Sequence, residues 1–170
     1  MNNANSSLTA TGTGTATATI SGGGDACTFL DNAAFIRADS VSAPAPVQFP
    51  QGLFTFTLRG CTGPVTMTIT YPSALPLGAA YWKYGPKSKG ATPTWYAFVV
   101  APAAATKTYT LTLENNTLGD DDWDTTMDIV DQGGPGAPSE AIPTLGGAGL
   151  ALLACLLVIA GLLALRRMGC

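Results

Sequence analysis

The sequence predicts an all-β protein: an antiparallel, immunoglobulin-like β-sandwich followed by one C-terminal transmembrane helix. Three observations lead there. Short stretches alternate apolar residues with threonine, prolines recur between those stretches, and a charge-free apolar run lies near the C-terminus. Alternation of period two turns one face of an extended strand inward. Short strands separated by turn residues build two packed sheets.

The elements follow in order. Residues 1–15 read as a Thr/Gly-rich linker or an edge strand, because Thr9 to Thr19 repeats Thr with only Ala or Gly between. Residues 16–136 read as the β-sandwich. A mixed run at 29–37 precedes a strand at 53–58, where Phe54, Phe56 and Leu58 share a face. At 65–71, Val65, Met67, Ile69 and Tyr71 face in while Thr66, Thr68 and Thr70 face out. Runs at 80–84, 95–100 and 109–113 follow, and 129–130 makes a short last strand. Pro44, Pro50, Pro64, Pro72, Pro86, Pro93 and Pro102 punctuate the gaps, and no segment before Gly146 has a helical period. Residues 137–144 form a linker, 145–165 the transmembrane helix and 166–170 a basic, cytoplasmic tail.

Composition excludes several functions. The 170 residues hold 8 Lys plus Arg and 11 Asp plus Glu, a net charge of -3, and no His. Without His there is no Ser-His or Cys-His nucleophile and no His-ligated zinc. Too few basic residues cluster to bind nucleic acid. Asp25, Asp31 and Asp39 are scattered rather than paired for glycoside hydrolysis. The expectation is that the protein is not an enzyme.

The run at 145–165 spans about 31 Å as a helix, the thickness of a bilayer core. Arg166 and Arg167 follow at once, and by the positive-inside rule they stay cytoplasmic, which places the preceding domain outside the inner membrane. Just before the run stand Ile142, Pro143, Thr144 and Leu145. With the apolar segment and the Arg pair, they resemble the IPTL-CTERM sorting signal of Gram-negative bacteria. Gly149 fits the final Gly of the fuller family pattern, and Ala148 stands where that pattern has Trp. The resemblance implies a membrane-embedded, exosortase-type transpeptidase as partner. The opening MNNANSSLTA has neither the basic nor the apolar region of a secretory signal. The expectation is therefore that the chain is the C-terminal piece of a longer precursor, or that its start is misassigned.

Cys27 and Cys61 are the only cysteines before the apolar tail, and two cysteines in an exported β domain more often pair than stay free, a reduced, buried pair being the other reading. The loop between them holds about 35 residues, and its closure is worth about 3–4 kcal/mol.

The acidic loop is the candidate metal site. Asp120, Asp122, Asp124, Asp128 and Asp131 fall at positions 1, 3, 5, 9 and 12 of a twelve-residue frame, the carboxylate spacing of a Ca²⁺ loop. Thr125 occupies the sixth position, where an EF-hand turn needs Gly, and no helices flank it. Two readings stand: a looser Ca²⁺ site in a sandwich loop, or a solvated turn whose aspartates cap backbone N–H groups. No other cofactor is indicated.

Tyr81, Trp82, Tyr84, Trp95 and Tyr96 form an aromatic group suited either to the core or to stacking on a glycan or peptide. Alternation sends Trp82 and Tyr84 to one face and Tyr81 to the other. Lys83, Lys87 and Lys89, beside Gly85-Pro86 and Gly90, read as a turn tip.

Five ordered words carry a second resemblance: Phe49-Pro50-Gln51-Gly52-Leu53-Phe54-Thr55-Phe56, Leu75 to Pro86, Thr94-Trp95-Tyr96, Leu118 to Asp122, and Asp131-Gln132-Gly133-Gly134-Pro135. From 49 to 135 the chain resembles the choice-of-anchor U domain of bacterial surface proteins, which implies location and architecture and no activity. The sequence thus predicts an exported, surface-displayed module of the cell envelope, structural or adhesive. The alternative is a Ca²⁺-dependent module for an extracellular glycan or protein ligand.

Overall fold

Alternating threonine and apolar residues give the chain its first sheet. In the computed structural model, which describes residues 3–41, 43–44, 46–124 and 126–139, this sheet joins β1 (Ala4–Leu8), β2 (Thr15–Gly22), β7 (Val65–Thr70) and β10 (Thr108–Leu113), in the order β1-β2-β7-β10. Every pairing is antiparallel. Ala16, Ala18, Ile20, Val65, Met67, Ile69, Tyr109, Leu111 and Leu113 are buried on the inner face. Register sets Thr17 beside Thr70 and Thr70 beside Thr108, with Thr19, Thr68 and Thr110 forming the next row. The outer face is therefore a threonine lattice.

The second sheet joins β3 (Thr28–Phe29), β4 (Ala34–Ile36), β5 (Val47–Gln48), β6 (Leu53–Arg59), β8 (Ala80–Gly85), β9 (Thr94–Val99) and β11 (Ile129–Pro138). Its main path runs β3-β6-β11-β8-β9, with β4 on β6 and β5 on β11. Phe29, Phe54, Phe56, Leu58, Tyr81 and Ile129 meet the inner residues of the first sheet in one apolar core. Phe54 and Phe56 pack with ring centroids 5.4 Å apart, and Phe29 meets both edge-on at 6.2 Å.

The all-β, antiparallel, sandwich-like expectation holds, and the immunoglobulin order does not. Immunoglobulin strands leave one sheet for the other mostly in hairpin pairs. Here β6, β7, β10 and β11 each sit in the sheet opposite the next or preceding main strand, so the chain crosses repeatedly, nearer to a double-sheet jelly roll.

Two segments bear on the predicted elements, and the second departs from them. Residues 4–8 pair with β2 as a true edge strand, joined to it by a turn in which the Thr9 N–H donates to the Gly14 carbonyl. The last strand runs through Gly133-Gly134-Pro135-Gly136, where turn-forming residues had signalled an end after 130. Pro135 is tolerated because pairing with β6 stops at Gly133, leaving only β8 as a neighbour at that point.

Among the described residues the helical structure is a single 3-10 turn, Ala38–Val41, and no helix there is long and apolar enough to cross a membrane. The predicted transmembrane helix, the sorting motif and the Arg pair lie outside the described residues. Residues 3–139 fall within the compact unit Met1–Ser139.

Candidate functional site

The inner face of the second sheet carries a polar cluster in an otherwise apolar core. Along β8, Tyr81, Lys83 and Gly85 turn inward, while Trp82 and Tyr84 turn outward and stay half-buried. Lys83, read above as part of a turn tip, is therefore a mid-strand core residue, fully buried, and only Lys87 and Lys89 are exposed. Its alternation with Tyr81 carried that signal.

Lys83 pairs with Asp131, also buried, on neighbouring β11. The register sets Lys83 opposite Gly133, so Asp131 lies on the same face, one diagonal step away. The Lys83 Nζ also donates to the Gly119 carbonyl at 3.1 Å and sits 4.1 Å from the centre of the Phe98 ring. Glycine makes the room. A Cβ on Gly119 would stand 2.9 Å from Nζ, and one on Gly133 would stand 3.1 Å from Lys83 Cγ and 2.8 Å from the Tyr81 ring.

Asp121 enters the same cluster from the loop before β11. Its backbone N–H donates to the Val130 carbonyl at 2.7 Å, and its carboxyl lies over Gly85, so close that any Cβ there would collide with it. Asp121 Oδ1 and Asp131 Oδ1 are buried without a hydrogen-bond partner among the described residues. Burial, reinforced by the Asp131 charge, raises the Asp121 pKa to about 8. Burial also raises Asp131 and lowers Lys83, in each case against the pull of the partner. Desolvation outweighs attraction, so both members are driven toward their neutral forms. Residues from three of the five ordered words, 75–86, 118–122 and 131–135, thus meet in one place.

The acidic frame does not gather into a metal site. Asp120 is buried and caps its own loop, accepting from the N–H groups of Asn116 at 2.7 Å and Val130 at 3.2 Å. Asp124 accepts from the Thr126 N–H and hydroxyl at 2.7 and 2.6 Å, which holds its carboxyl below the usual range. Asp128 pairs with Arg59 at 3.4 Å, and Asp131 with Lys83. Burial, with Asp120 alongside, raises Asp122 to about 6. No group of three or more acidic, Cys or His side chains among the described residues could hold a metal ion. Asp120 and Asp124 thus cap backbone N–H groups, Asp128 and Asp131 pair with Arg59 and Lys83, and Asp122 Oδ1 is buried without a hydrogen-bond partner among the described residues.

Cys27 and Cys61 form the predicted disulfide, both sulfurs buried, between the chain entering β3 and the chain leaving β6. The aromatic group divides between faces. Tyr81 and Tyr96 are buried, whereas Trp95 stacks on Phe49 at 4.9 Å and meets Tyr84 at 5.4 Å on the outer face. Two surface hollows carry one acid each: one of 360 Å³ with Asp25, and one of 210 Å³ with Asp39, which pairs with Arg37.

The IPTL-CTERM motif matches residues 140–168. The chain therefore carries this C-terminal sorting motif, directly after the β unit. No curated protein and no solved structure matches the chain.

Proposed function

We propose that the chain is an exported cell-surface module, structural or adhesive, that reaches the cell envelope through its C-terminal anchor. The observation that carries this reading is the sorting motif at residues 140–168, following a disulfide-bonded β unit. Ile142, Pro143, Thr144 and Leu145 are the segment an exosortase-type transpeptidase reads. The apolar run at 145–165 crosses the inner membrane before processing, with Arg166 and Arg167 on the cytoplasmic side. The domain then lies outside, in a compartment that favours the Cys27–Cys61 bond. The resemblance to choice-of-anchor U surface domains fits the same role.

The protein acts by binding or by holding its place rather than by catalysis. That reading is supported by the absence of His from the sequence and by the partners that hold Asp120, Asp124 and Asp128 in loop structure. The test is processing in a Gram-negative host with and without an exosortase-type enzyme. The wild-type chain should lose its tail only when the enzyme is present, and an Ile142→Ala, Pro143→Ala variant should keep it. Equal chain lengths in both hosts would contradict the reading.

A further inference from the structure

We propose that Lys83 and Asp131 close a covalent cross-strand amide, Nζ to Cγ, with Asp121 carrying the proton from the attacking nitrogen to the departing oxygen. The geometry is that of a reaction held ready. Amine and carboxyl are in contact, fully buried, on adjacent strands of one sheet face. Three glycines vacate the space around the pair: Gly133 beside the Lys83 stem, Gly119 beside its Nζ and Gly85 beneath the Asp121 carboxyl.

As a simple ion pair the site is poorly completed. A buried pair repays its desolvation only when the remaining polar atoms are bonded. Here Asp131 Oδ1 and Asp121 Oδ1 have no partner among the described residues. The amide removes the charges altogether. Its single N–H still serves the Gly119 carbonyl, which Nζ already reaches at 3.1 Å.

The chemistry balances without any co-reactant. Burial favours a free amine on Lys83 and an un-ionised acid on Asp131, the forms that can condense. The Nζ lone pair attacks Cγ and a tetrahedral centre forms. The Asp121 carbonyl oxygen takes a proton from nitrogen while its own hydroxyl protonates the leaving Asp131 oxygen. The Cγ–O bond breaks, one water departs, and Asp121 ends protonated, as it began. Unlike the disulfide, this step needs no oxidant, so it does not depend on export. Its place matters mechanically: β11 leads directly toward the sorting segment, and the bond ties that strand to β8.

The experiment uses the full chain, purified in detergent with its disulfide reduced. Intact mass should fall below the sequence mass by one water. Trypsin on the denatured protein should fail to cut after Lys83 and should yield a branched peptide joining Lys83 to Asp131. Lys83→Arg and Asp121→Asn should each give the full sequence mass, with the far-ultraviolet circular dichroism of the wild type showing that they fold. Wild-type protein at full mass, or a water lost with cleavage after Lys83 intact, would overturn the bond. Complete conversion in Asp121→Asn would overturn the proton carrier.

Discussion

Asp121 holds its proton at neutral pH because folding strips water from its carboxyl and sets it beside Asp131. Its folded pKa of about 8 lies above the ordinary 3.8, so the folded state binds this proton more tightly than the unfolded chain. The resulting contribution is fully present below pH 3.8 and is lost as pH rises through about 8. Stability should therefore decline across that window, and Asp121→Asn should flatten the decline. Denaturation midpoints from pH 4 to 9 check this, and equal slopes in both proteins would exclude it. A second expectation concerns cations. Since Asp120, Asp124 and Asp128 already have partners, millimolar CaCl₂ should shift the melting temperature no more than NaCl of matched ionic strength. A Ca²⁺-specific rise would restore the metal reading. The aspartate spacing was legible in the sequence, but the directions of the carboxylates were not. Those directions are set by left-handed backbone at Asn116, Gly119 and Trp123, which spacing does not encode. Lys83 was legible through its alternation with Tyr81, and the exposed lysines just after it masked that signal.

At the scale of elements, strands with threonine on one face and apolar residues on the other declared themselves. In β7 and β10 the period of two matches the observed burial at every position. β11 did not, because its residues serve neighbours rather than alternation. A Cβ on Gly134 would lie 2.4 Å from the Gly52 carbonyl oxygen and 3.2 Å from Leu53 Cα, both backbone. Gly134→Ala should therefore cost about 1–3 kcal/mol by overpacking. Chemical denaturation measures it, and an unchanged midpoint would show that β6 and β11 can separate without penalty. The disulfide ties β3 to the end of β6 across a sequence separation of 34. Its reduction should lower stability by about 3–4 kcal/mol. Identical unfolding with and without reductant would mean that the sheet alone fixes these ends.

At the scale of the molecule, the two-sheet class was readable and the strand order was not. Order depends on which strand each long connection reaches, as when β2 pairs with β7 rather than with a strand near it in sequence. The location we propose for the β unit, beyond the inner membrane, rests on the sorting motif matched at residues 140–168. Lys87, Lys89 and Lys107 are exposed, and Lys83 is buried. The most direct measurement is labelling of intact cells with a membrane-impermeant amine reagent, followed by peptide mapping. Modification at Lys87, Lys89 and Lys107 in unbroken cells, with Lys83 spared, is the predicted result. Labelling of those three only after the inner membrane is broken would contradict it.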